Sequence, residues 1–114
     1  MFPIARKFED LKVTIKNGAA LSNTIDMRHY ANAGYTLPSG WTAASLAFKV
    51  SVDGAVFYPL KVAAGTLIEH ASPADGRAFP AEALAFPFVK LWSETGGSDV
   101  NQTADRTILV ALKG

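Results

Sequence analysis

The sequence predicts an all-β protein, a sandwich or barrel of short antiparallel strands, and three observations carry that prediction. The dominant hydrophobic period is two: Leu11, Val13 and Ile15 alternate with Lys12, Thr14 and Lys16, and Leu46, Phe48, Val50 and Val52 alternate with Ala47, Lys49 and Ser51. Turn residues punctuate the apolar runs, with Asn17-Gly18 and Asp53-Gly54 as the strongest signals and Gly40, Gly65, Pro73, Gly76, Pro80, Gly96 and Gly97 between the others. Only Met27–Ala33 and Pro80–Ala85 have any helical character, and both are too short for more than a turn of helix.

Taken in order, the elements begin with an N-terminal arm. Phe2, Ile4 and Phe8 fall on one alternating set, with Pro3, Arg6 and Lys7 between them. This segment reads either as an edge strand on its own sheet or as an arm laid on a neighbouring subunit, so residues 1–10 are set apart from a β domain over 11–114. Leu11–Lys16 is the first clear strand and Gly34–Leu37 a short one ending at Pro38. Ser45–Tyr58 reads as a β-hairpin, because Asp53-Gly54 supplies the positive φ angles of a tight turn and Val56, Phe57 and Tyr58 resume strand character. Thr66–Glu69 and Phe86–Ser93 are later strands. Gly65–Ala85 as a whole is polar and rich in Ala and Pro, a loop region with room for one short strand. The run Thr107–Lys113 reads as a buried terminal strand.

The 114 residues suit one domain, and a hydrophobic fraction of 49% can supply its core. A formal charge of +1 disfavours a nucleic-acid binder and electrostatic docking to an anionic membrane, so neither is expected as a partner. No cysteine is present, which removes disulfides, thiolate metal sites and thiol nucleophiles. No stretch approaches the roughly 20 apolar residues that span a bilayer, and no apolar run follows Arg6 and Lys7 as in a secretory signal. The expectation is the mature form of a soluble protein.

Catalytic machinery is not expected. His29 has Ser22 and Asp26 nearby in sequence, but no nucleophile-elbow pattern surrounds them, and His70 follows Glu69 at a strand end. Two isolated histidines do not make a zinc site. Glu9 and Asp10 are adjacent, so on a strand they point to opposite faces. Asp75, Glu82, Glu94, Asp99 and Asp105 follow no calcium-loop spacing, and Gly96-Gly97 lacks the lysine of a phosphate loop. No cofactor, metal or catalytic residue is therefore assigned. Trp92, beside Leu91, reads as core, whereas Trp41, after Pro38-Ser39-Gly40, can fill the core end or stack on a sugar or a protein partner.

Two segments resemble known families. The run from Trp41-Thr42-Ala43-Ala44-Ser45-Leu46 to Asp53-Gly54, on through Phe57-Tyr58-Pro59-Leu60, is similar to the central hairpin of galactose-binding-like jelly rolls, and Phe88–Ser93 resembles their late strand. With Asn17–Asp26 before it and Val100–Thr107 leading into the last strand, the combination resembles small tailed-bacteriophage virion proteins. The resemblance covers most of Asn17–Gly114 and implies an antiparallel β-sandwich of jelly-roll type, about eight strands, with the extended N-terminal arm. It further implies a capsid decoration (cement) protein on the outer surface of the virion. Such a protein would bind the major capsid protein and stabilise the head as a homo-oligomer, with a trimer suggested by local three-fold axes. The expected partner contacts are Phe2, Ile4, Arg6 and Lys7 of the arm, together with Trp41. Two alternatives stand beside this: a carbohydrate- or receptor-binding module of a virion fibre, and a tail or neck connector subunit.

Overall fold

Alternation decides which side chains meet. In the computed structural model, which describes residues 8–71, 73 and 75–114, the long strands turn one face of each inward and build a two-sheet antiparallel sandwich. The strands are β1 (Phe8–Ile15), β2 (Ile25–Asp26), β3 (Asn32–Thr36), β4 (Ser45–Ser51), β5 (Tyr58–Pro59), β6 (Glu69–His70), β7 (Arg77–Ala78), β8 (Phe88–Thr95), β9 (Ser98–Asp99) and β10 (Arg106–Lys113). One sheet runs β1-β10-β3-β7. The other runs β2-β8-β4-β5, with β6 paired to β4 and β9 to β8.

The core lies between them. Val13, Ile15, Tyr35, Ile108, Val110 and Leu112 from the first sheet pack against Ile25, Leu46, Phe48, Val50, Val89 and Leu91 from the second. The second sheet is covered on its far side as well. Ala20, Ala47 and Trp92 form a smaller buried cluster there, with Leu21 and Leu67 against it. That second layer explains why β4 and β8 are buried on both faces over much of their length. Pro59, which has no N–H to give, falls on a strand at the sheet margin, where proline is tolerated.

Most sequence expectations match, and the differences have physical causes. The Asp53-Gly54 hairpin forms, with Lys49 opposite Pro59 and Val50 opposite Tyr58, but its connection is wide rather than tight. Gly54 has φ 80°, as expected. The carboxylate of Asp53, however, accepts the N–H groups of Ala55 and Val56 and the Ser51 hydroxyl. These bonds hold a local loop in place of a two-residue turn, so Val56 and Phe57 leave the ladder.

The last strand is also different. β10 lies in the middle of its sheet, yet only Ile108, Val110 and Leu112 are buried, while Thr107, Leu109 and Ala111 face out. An apolar run between two neighbours does not imply burial on both faces when no layer covers one of them. In the region expected to have room for one short strand there are two, β6 and β7, each stabilised by pairing with a longer strand. The two helical candidates behave as expected: a 3-10 turn spans Ala81–Ala85, and a single turn closes with the Tyr30 N–H on the Met27 carbonyl.

The one-sided burial of β10 is directly testable. Ile108→Ala should cost about 3 kcal/mol in chemical denaturation, whereas Leu109→Ala should cost less than about 1 kcal/mol. Equal losses at both positions would mean that the outer face is covered in solution.

Candidate functional site

The outer face of the β1-β10-β3-β7 sheet carries a broad open hollow, and strand register builds it. Across the sheet, Lys12 stands opposite Leu109, which stands opposite Thr36; the next row runs Asp10, Ala111, Gly34 and Ala78. The second row narrows to side chains of almost no size, so the face sinks into an open hollow of about 960 Å³. Leu109 projects beside it and is 52% exposed, an unusual position for a large apolar side chain at the centre of a sheet. Gly34 suits this close approach: a Cβ on it would come within 3.2 Å of the Arg77 carbonyl oxygen, so a larger residue would need β7 to give by a few tenths of an ångström. Asp10, Lys12 and Arg77 put charge around the hollow.

A second apolar patch lies on the wide hairpin. Val52 is 76% exposed and Tyr58 64%, with Val56 exposed beside them. The Asp53 loop geometry contributes to this patch, because a tight hairpin would have returned Val52 and Val56 to the ladder.

Among the sequence-derived contacts, Phe2, Ile4, Arg6 and Lys7 lie outside the described residues. Trp41 is half-buried. Its indole N–H donates to the Ala44 carbonyl at 3.3 Å, one side packs on the core, and the rest lines a shallow hollow between Leu37 and Ala44. Trp92 is in the interior, as read from the sequence. Its indole N–H donates to Asp99 at 2.7 Å, and the Lys49 ammonium sits 4.5 Å above the ring.

His70 and the sequence neighbours of His29 are engaged elsewhere. Asp26 forms an ion pair with Arg28 at 2.7 Å, which holds its carboxyl down at about 2. The Ser22 hydroxyl is buried, donates to the Asn23 carbonyl and accepts the Leu91 N–H. Neither group is hydrogen-bonded to His29. His70 stacks on Tyr35 and meets its phenol through Nδ1. Burial, helped by nearby Arg77, lowers the His70 pKa, and burial raises that of Tyr35 to about 12. With Phe48 and Phe79 this is an aromatic core cluster.

Two buried polar groups had no sequence signal. Gln102, 1% exposed, joins the loop before β4 to β8 and to the start of β10. Its Oε1 accepts the Thr42 N–H at 2.9 Å and the Arg106 Nε–H at 3.2 Å, and its Nε2 donates to the Ser93 hydroxyl at 2.8 Å. Glu94 is fully buried; Oε2 accepts the Gly97 N–H, while Oε1 has no hydrogen-bond partner among the described residues. Burial first, and neighbouring Glu69 second, push its pKa up to about 7. A carboxyl in this position is held as the neutral acid through most of the acidic range.

Fold and surface together define a β-sandwich whose prominent features are an open apolar hollow and exposed apolar patches. No known family model matches the chain, and no curated protein matches it. A solved structure does share the fold: the crystal structure of SPBc2 prophage-derived protein YomS superimposes over 100% of both chains, with a TM-score of 0.62 and 12% sequence identity.

Both buried polar groups yield measurable expectations. Gln102→Ala strands the Thr42 amide, takes away the donor to the Ser93 hydroxyl and should destabilise the fold by about 2 kcal/mol in urea titration. For Glu94, the folded pKa lies above the unfolded one, so the native state binds the extra proton between them. Stability from this group is complete below about 4.5 and is lost as pH rises through about 7. Thermal melting from pH 5 to 8 should show this loss, and Glu94→Gln, which fixes the neutral form, should flatten it and melt higher at pH 8.

Proposed function

We propose that the chain is a bacteriophage structural protein of the capsid-decoration type, which binds the major capsid protein on the outside of the head and stabilises the shell. The observation that carries this reading is the end-to-end fold likeness to a prophage-derived protein. The surface fits the role: Leu109 and the hollow floored by Gly34, Ala78 and Ala111 offer apolar area on a flat sheet face, with charges at its margin. A modest contact of this kind is sufficient on a lattice, because many symmetry-related copies multiply a weak affinity into stable coverage. The charge balance of +1 is compatible with assembly and gives no long-range repulsion between neighbouring copies.

A receptor- or carbohydrate-binding role in a fibre is the second reading, favoured by Trp41, whose ring edges a shallow hollow at the sandwich end. A tail or neck connector differs from both chiefly in stoichiometry, with a dozen or fewer copies per particle against hundreds for a head decorator.

Mixing the purified protein with bare expanded capsids and with unexpanded shells separates these roles. Saturable binding to expanded capsids, weakened at least about tenfold by Leu109→Asp, supports the decoration role. Absence of saturable binding to either shell removes it. Glycan-array binding that is lost in Trp41→Ala without unfolding would favour the fibre reading instead.

A further inference from the structure

The edge of β1 is the longest strand margin without a neighbour among the described residues. β1 closes one end of its sheet and, among the described residues, pairs only with β10. The direction of its free groups follows from one bond: the Thr14 N–H turns away from β10 and donates to the Asn23 side chain at 2.9 Å. In an antiparallel ladder alternate residues face the same neighbour, so Asp10 and Lys12 point their N–H and C=O groups out of the same edge. Both residues are exposed, and no strand meets them among the described residues. Asn23 plugs the edge at Thr14 and leaves the stretch around Asp10–Lys12 open.

An open edge is a template for another strand, and proteins commonly guard it with charge. Here the charges select as well as guard. If a second copy approaches antiparallel about a two-fold axis, three registers keep edge-facing residues opposite one another over the open stretch. One sets Asp10 against Asp10, another Lys12 against Lys12, and like charges directly opposed are destabilising. The third centres the axis on Leu11 and sets each Asp10 against the other copy's Lys12. Only this register is complementary.

We propose that the chain forms a two-fold dimer through β1, in the register that pairs Asp10 of each copy with Lys12 of the other. Each of these pairs exchanges two main-chain hydrogen bonds, about four in all, and the two four-stranded sheets become one continuous sheet. Leu11, which packs on the core edge of its own copy, meets its counterpart across the axis. The hollows by Leu109 then lie on the same side of the joint and form a single wide face. This inference goes beyond the head-surface reading and does not rest on it.

Sedimentation velocity and native mass spectrometry on the full chain provide the test. The expected species is a dimer. Asp10→Lys and Lys12→Asp, each of which sets like charges against one another, should weaken it about tenfold or more. The combined Asp10→Lys/Lys12→Asp chain restores opposite charges in the same register and should recover dimerisation. Circular dichroism melting of each variant checks that the exposed changes leave the fold intact. A monomer at all concentrations overturns the proposal. So does a trimer, a dimer indifferent to the single changes, or failure of the double change to rescue.

Discussion

The pairing of β10 between β1 and β3 is the constraint on which the rest of the structure depends. Phe8 lies opposite Lys113, and Ile15 opposite Arg106, so the first and last strands of the described chain join along their full length. Without β10, β1 has no partner in its sheet and β3 keeps only the short β7. The inward half of that sheet, from Val13 to Leu112, would then have no surface to meet. Such non-local pairing must bear the closure entropy of almost the whole chain before it gains any contact, which makes β10 docking the natural late step of folding. The same register sets the outer rows, because a slip of one residue would bury Leu109 and expose Ile108.

What fixes that register is partly polar. Gln102, just ahead of β10, is bonded to the Thr42 backbone, to Ser93 and to Arg106, and its own backbone holds Gly18 and Ala19. One side chain therefore ties the loop before β4, the strand β8 and the entry to β10 at a single end of the sandwich. Buried amides of this kind add specificity as well as stability, since any other register leaves several donors without acceptors in a dry environment. Glu94 is the contrasting case, buried with one oxygen unpartnered among the described residues, and its neutral form is the physical resolution of that position.

The sandwich was legible in the sequence where side-chain alternation alone decides the outcome. β1, β4 and the inward half of β10 follow from the positions of Val13, Phe48 and Val110, and the buried Trp92 follows from its place in an apolar run. The wide connection after β4 was not legible, because Asp-Gly favours a tight turn and only the carboxylate bonds to Ala55 and Val56 show which conformation wins. The outward turn of Leu109 depends on there being no covering layer among the described residues, which no local pattern encodes. β7 was equally hidden. Two residues are stabilised as a strand only by Gly34 and Tyr35 opposite them, and Gly34 permits their close approach for reasons of space, not hydrophobicity.

The surface chemistry follows from the same asymmetry between the two sheets. One sheet has a second layer over its far side, formed by Ala20, Leu21 and Leu67 around Trp92. The other has none among the described residues, although its rows carry Leu109 and three of the smallest side chains. Burial of an apolar side chain is favourable wherever it occurs, so an uncovered row of this composition gains free energy by meeting another surface, whereas a charged row would not. The charges Asp10, Lys12 and Arg77 stand at the margins of that face, where they steer and select an approaching surface without having to be desolvated at its centre. A small-molecule site instead encloses most of its ligand in a concave cavity, with a few polar groups placed to fix its orientation. The distribution of size and charge on this sheet therefore favours contact across a face over capture of a small molecule.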